Sequence, residues 1–190
     1  MMFTRFFFLA LIAVACVPRT VTRLDPGQAV DLSGRWNDSD SRAVADEMIS
    51  GLMASANFKK FAEVNGKPAI IVGSVPNRTS EHIDASNFIK KMEVAIYNSG
   101  VADLVESETF RDKLRLERAQ QQDFASPETV SEWGKEVGAD LMLFGEMTSE
   151  TDVFNNKRIV NYQITLFLTD VETNKRVWYG QKEIKKFVRN

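Results

Sequence analysis

The segment 158–169 constrains the fold more than any other part of the chain. Tyr162, Ile164, Leu166 and Leu168 alternate there with Asn161, Gln163, Thr165 and Phe167. A period of two sends successive side chains to opposite faces of a strand, so one face of this strand is buried and the other is largely polar. Such a strand needs partners on its edges and a layer of structure over its apolar face. Downstream, Glu172 to Lys175 reads as a turn into Val177, Trp178 and Tyr179, and the lysines that follow, Lys182, Lys185 and Lys186, suit an edge strand that must not recruit another. Upstream, Leu141 to Phe144 is apolar throughout, as a central strand is. Ala69 to Val75, behind Pro68, reads as a second strand buried on both faces, and Ala102 to Val105 as a shorter one.

Between these strands the periodicity becomes helical. Over 40–57, Ala45, Met48, Ile49, Leu52, Met53 and Ala56 form one stripe, with Asn37, Asp38 and Ser39 available as caps. Over 84–98, Asp84 is the cap and Phe88, Ile89, Met92, Ala95 and Ile96 face inward. Ser107 then opens a highly charged helix that buries little beyond Phe110, Leu114 and Leu116. Ser126, Pro127 and Glu128 predict a further helix that turns Val130, Trp133 and Val137 to the core and closes at Gly138. The expected fold class is therefore α/β, of the α+β kind: a mixed sheet of about five strands with helices packed on it, forming one domain over residues 37–190. A chain of 190 residues suits one compact domain and a short appendage better than two full domains.

The N-terminus has a different character. Met1 to Arg5 carries one positive charge, and Phe6 to Val14 is an unbroken apolar run of nine residues ahead of Ala15 and Cys16. A run that short cannot span a bilayer, which takes about 20 apolar residues. The layout is that of a signal peptide over residues 1–15. Ala13, Val14, Ala15 and Cys16 resemble a bacterial lipobox, which implies lipidation of Cys16 and attachment to the membrane through that anchor. Residues 16–36, with Pro18, Pro26, Gly27 and Gly34, read as the lipidated end and a short tether. About twenty residues reach roughly 70 Å at full stretch.

Composition narrows the chemistry. One histidine, His82, and one cysteine, Cys16, exclude zinc sites of the Cys/His type, an internal disulfide and any mechanism that needs two imidazoles. A formal net charge of −2 offers no excess cation for a phosphate backbone, so no nucleic acid partner is expected. Gly66, Lys67 and Pro68 lack the second glycine and the hydroxyl of a phosphate loop. The carboxylates, Glu106, Asp140, Glu146, Glu150 and Asp152 among them, show no pairing distinguishable from surface charge. No catalytic residue, metal, cofactor or small-molecule substrate is expected. One segment has the placement of a site: Asn77, Arg78 and Thr79 lie between the C-terminal end of a buried strand and a helix N-terminus. They form either a plain turn, with Arg78 solvated or paired to Glu81 or Asp84, or a partner-binding loop with Arg78 as its projecting anchor.

Several of these segments together carry a family resemblance. Leu32, Ser33, Gly34, Arg35, Trp36, Asn37 and Asp38 ahead of a Met-containing helix, Ile70 to Thr79, the helix ending at Asn98, the Gly138, Ala139, Asp140 lead-in to an apolar strand and the closing hairpin at Val177 and Trp178 resemble the LpoB type of penicillin-binding protein activator lipoproteins. The likeness runs from about residue 31 to residue 188 and shades into domains similar to the N-terminal domain of TolB. It implies a non-enzymatic, outer-membrane lipoprotein on the periplasmic side. Its implied partner is a bifunctional penicillin-binding protein, whose peptidoglycan synthesis it stimulates, and Asn77, Arg78 and Thr79 are the implied contact residues. The short tether leaves an envelope assembly or secretion scaffold as an alternative, and a cell-wall hydrolase built on a carboxylate pair as another.

Overall fold

The structure, a computed structural model, describes residues 19–189. The expected signal peptide and Cys16 lie outside the described residues. Five strands form one mixed sheet: β1 (Ala69–Val72), β2 (Asp103–Val105), β3 (Leu141–Phe154), β4 (Lys157–Asp170) and β5 (Arg176–Arg189), in the order β2-β1-β3-β4-β5. β1 runs parallel to both β2 and β3, and β3, β4 and β5 form an antiparallel meander. The alternation over 158–169 is realised as read: Tyr162, Ile164, Leu166 and Leu168 are fully buried. They form the core with Val44, Met48 and Leu52 of α1 (Asp38–Ala54) and Phe88, Met92 and Ile96 of α3 (Ser86–Ser99). Each such side chain contributes about 1.5–3 kcal/mol by leaving water. Glycines allow the close approach of α1 to the sheet. Gly145 and Gly180 flank Leu166 across three strands, and a methyl added at Gly180 would strike the Trp178 ring and lie 2.8 Å from the Met48 sulfur.

The first helical stripe divides. Asn37 caps α1 by accepting from the Ser39 and Asp40 amides at 2.9 and 3.2 Å, while its own N–H donates to the Asp40 carboxylate at 2.8 Å. A single helix was expected over 40–57, but Ser55 interrupts it. Its N–H closes α1 on the Leu52 carbonyl at 3.1 Å, and its hydroxyl accepts from the Phe58 amide at 3.3 Å, opening α2 (Ala56–Asn65). The serine competes for backbone groups and favours a cap over a helix interior. The redirected chain buries Phe58 and leaves Ala56 exposed.

The expected helix over 126–138 does not form. Residues 127–129 make a turn, Gly134 takes a positive φ of 78°, and Trp133 and Val137 are 53% and 70% exposed. A mid-segment glycine in the left-handed region cannot continue a helix. The segment's bonds go instead to α4 (Glu108–Phe124). Glu136 bonds Arg115 at 3.1 and 2.8 Å and Arg118 at 3.0 Å, and Arg118 lies over the Trp133 ring at 5.2 Å. α4 itself buries none of its residues, so Phe110, Leu114 and Leu116 remain more than half exposed. No helix among the described residues is long and apolar enough to cross a membrane.

The last residues of the expected tether lie against the domain as a strap. The Trp36 ring meets Tyr162 edge-on at 5.4 Å, and its indole N–H donates to the Ser41 hydroxyl at 3.0 Å. Gly34, at φ 66°, sits where any side chain would run into Val188. β5 is the edge strand that its lysines suggested, and two of them also find partners in the domain. Lys186, only 8% exposed, points inward and donates to Asp31 at 2.8 Å and to the Arg35 carbonyl at 2.9 Å, with Asp40 at 2.6 Å. Burial alone would lower its pKa, but the bonds to Asp31 and Asp40 outweigh this and raise it. Lys182 reaches Glu47 of α1 at 3.2 Å. β5 is an edge strand, yet these two lysines hold helix and strap to it.

Candidate functional site

β1 ends at Val72, but the chain keeps tracking β3. The Gly73 N–H donates to the Leu143 carbonyl at 2.7 Å, the Met147 N–H to Pro76 at 3.0 Å and the Arg78 N–H to Met147 at 2.8 Å. The loop is thus pinned at both ends of Gly73–Arg78, and Val75 and Ile83 are buried beneath it. The three candidate residues have different tasks inside this frame. The Asn77 amide donates to the Glu81 carbonyl at 2.7 Å and to Ile83 at 3.3 Å, while its oxygen accepts the Thr79 N–H at 2.9 Å. The Thr79 hydroxyl accepts from the Glu81 N–H and donates to its carbonyl, both at 3.2 Å. Asn77 and Thr79 therefore commit their polar atoms to shaping the turn.

Arg78 is the residue of the three that projects. Its side chain is 66% exposed, and its Nε lies 3.1 Å from Glu146 of β3, not beside Glu81 or Asp84. An ion pair this exposed contributes at most about 1 kcal/mol, so the guanidinium can exchange Glu146 for another planar anion at little cost. Glu146 is the member of this site that sequence reasoning missed. Its proximity comes from a bridge between Asn77 and Met147, two residues 70 positions apart, which no local pattern announces.

Beside the loop lies an open depression of about 570 Å³, lined among others by Trp36, Arg42, Glu81, His82, Asp84 and Lys91. Its charges are mixed and several are engaged. Glu81 accepts the Trp36 N–H at 3.2 Å, Arg42 is bonded to Asp38 at 2.6 Å, and bonds from Ser86 hold the Asp84 carboxyl below its usual range. His82 is exposed. Tyr162 lies under Trp36, and its hydroxyl pKa is raised, first by burial and then by the Glu81 carboxylate. It stays neutral at any physiological pH and supplies no general base. The carboxyl whose pKa rises is elsewhere: Glu93 of α3, through burial and then the charge of Glu106, and neither of these lines the depression. Among the described residues no group of three His, Cys, Asp or Glu side chains could hold a metal ion. What the loop presents is a backbone pinned by hydrogen bonds with one exposed cation on it, an arrangement suited to contact with a surface.

The sequence model of a family described as peptidoglycan-synthase activator LpoB matches residues 40–184. No curated protein matches the chain. Among solved structures, the chain is similar to the LpoB C-terminal domain from Escherichia coli at 23% identity and a TM-score of 0.40, covering 80% of this chain and 99% of that one. It is similar to the LpoB C-terminal domain from Salmonella enterica at 21% identity and a TM-score of 0.39, covering 73% of this chain and 96% of that one. Lipoprotein GNA1162 from Neisseria meningitidis matches at 15% identity and a TM-score of 0.39, covering 65% of this chain and 85% of that one.

Proposed function

Because the chain belongs to the LpoB family of peptidoglycan-synthase activators, we propose that it is a periplasm-facing outer-membrane lipoprotein that binds a bifunctional penicillin-binding protein and stimulates its peptidoglycan synthesis by contact alone. The observation that carries this reading is the family match across residues 40–184, nearly the whole folded domain. The lipobox-like Ala13, Val14, Ala15 and Cys16 supports acylation of Cys16, and Val17 after it lacks an acidic inner-membrane retention signal. Stable anchoring takes two signals, either a second acyl chain or one chain with a basic patch beside it. In this reading Arg78 is the contact residue, held outward by the turn that Asn77 and Thr79 build.

The test is reconstitution. The chain beginning at Val17 contains every core residue, since these run from Val44 to Trp178. It is mixed with the bifunctional penicillin-binding proteins of its own organism, and glycan-strand synthesis is followed. Faster synthesis with at least one of them is expected; neither binding nor stimulation of any would refute the reading. Mass spectrometry of the protein from intact envelopes checks the N-terminal acyl-cysteine separately. The short chain before the strap favours one second reading, an envelope assembly scaffold. About fifteen residues from Cys16 to Asp31 reach at most about 50 Å. Cross-linking in cells that captures outer-membrane machinery and no penicillin-binding protein supports that alternative.

A further inference from the structure

The end of the sheet where the strap is fastened differs in charge from the rest of the chain. The β3–β4 hairpin tip and the C-terminal end of β5 meet there. Phe154 pairs with Lys157, Lys157 with Arg189, and Arg158 with Val188. Arg35 of the strap joins Lys157 and Arg158 around a shared depression of about 570 Å³. None of Arg35, Lys157, Arg158 and Arg189 forms an ion pair with a carboxylate of the described residues. The acids of the chain slightly outnumber its bases, so four cations without an ion pair at one end, against the single exposed carboxylate of Asp152 in the last rungs of the hairpin, are a local concentration against the overall sign. Two large aromatics stand out among them, Phe154 at 74% exposure and Phe187 at 60%.

We infer that this tip is a membrane-contact surface that docks on an anionic phospholipid bilayer. Three observations select that occupant. Cations interleaved with exposed aromatics match a headgroup layer, where charges meet phosphates and rings enter the interface. A bilayer accepts cations without a fixed register, which suits side chains spread over a hairpin tip, a strand end and a strap. The strap fixes where the N-terminal segment leaves the domain, and it does so at this end: Gly34 packs on Val188, one residue from Arg189. A chain anchored at Cys16 therefore enters the domain at this end, within about 50 Å of the anchor. The inference rests on the proposed anchor only for bringing the domain to the bilayer. Docked in this way, the domain keeps Arg78 on a loop at the β1 end of β3, away from the lipid.

The test uses the unacylated chain beginning at Val17, so that no lipid of its own can insert. Sedimentation is measured with vesicles of phosphatidylcholine alone and with vesicles also containing phosphatidylglycerol, at low and at high salt. Binding is expected only to the anionic vesicles, and it should weaken as salt rises. Each cation contributes about fivefold, so Lys157→Gln/Arg158→Gln/Arg189→Gln should bind about a hundredfold more weakly, and Phe154→Ser should bind measurably more weakly at unchanged charge. Circular dichroism checks the fold of each variant. Equal sedimentation with both vesicle types, none with either, or capture by a sulfated polysaccharide with no vesicle binding overturns the inference, and the wild-type chain alone decides among these. Failure here leaves penicillin-binding protein stimulation untouched. Conversely, an unacylated Cys16 in cells leaves this vesicle result unchanged.

Discussion

Replacing Lys186 by methionine tests whether the strap is held by its charges. The substitution keeps most of the buried stem and removes the ammonium group that bonds Asp31, Asp40 and the Arg35 carbonyl. Breaking a buried ion pair from one side costs about 3–5 kcal/mol, because the other charge is left uncompensated. Two features reduce that figure. Asp31 is 56% exposed and rehydrates freely, so its loss is small. Asp40, 10% exposed, keeps the Asn37 N–H at 2.8 Å and sits in the first turn of α1, where the helix dipole favours an anion by up to about 1 kcal/mol. The expected loss is about 2–4 kcal/mol, a large share of the 5–15 kcal/mol typical of a domain. Urea unfolding at neutral pH measures it. The pH dependence adds a second check. The Lys186 pKa is raised on folding, so the stabilisation is complete below the unfolded value near 10.4 and is lost as pH climbs through the higher folded value. Wild type and variant should therefore converge as the solution becomes strongly alkaline. Adding Asp40→Asn to the variant should cost less than it does in the wild type. A loss under about 1 kcal/mol, or a difference that stays constant into the alkaline range, would refute the reasoning.

Other substitutions probe separate parts of the molecule. Under the proposed function, Arg78→Ala should weaken binding to the proposed penicillin-binding protein partner by about fivefold or more in a titration while leaving stability within about 0.5 kcal/mol, since its Glu146 pair is exposed. Gly180→Ala should cost about 1–3 kcal/mol in urea unfolding, by pushing Met48 and Trp178 apart. Lys135→Pro, in the segment that is not helical, should cost little in thermal unfolding, whereas Val94→Pro, inside α3, should cost about 3 kcal/mol or more. The Glu136 carboxyl, held low by its bonds to Arg115 and Arg118, should titrate at about 2 by NMR. Its contribution to stability is present above the unfolded value near 4.3 and fades as pH falls toward 2, and Arg115→Ala should move the midpoint upward.

Legibility followed the range of the interactions. The β4 alternation and the stripes of α1 and α3 are local patterns with a long buried face, and the sequence displays them directly. The break at Ser55 was missed because a serine inside an apolar stripe reads equally well as a solvated helix residue. The helix expected over 126–138 came from a good start signal at Ser126 and Pro127 and from three apolar residues at helical spacing. It failed because Gly134 interrupts it and the charged face of α4 offers Glu136 and Trp133 better partners. At the candidate loop the turn chemistry of Asn77 and Thr79 was readable from residue type. The pairing of Arg78 with Glu146 was not, since it depends on the loop continuing alongside β3. Lys186 was legible as a lysine of an edge strand, but its partners were not, since only the fold brings Asp31 and Asp40 to the same point.

The bond from Lys186 to Asp31 joins positions 155 residues apart. It closes a non-covalent ring around the whole domain, as a disulfide would, although the described chain has no thiol to form one. Chain ends ordinarily fray independently. Here the strap and the final strand are fastened to each other, and a pull arriving from the N-terminal side is shared at Asp31 between β5, through Lys186, and the cap of α1, through the Asn37 amide at 2.9 Å.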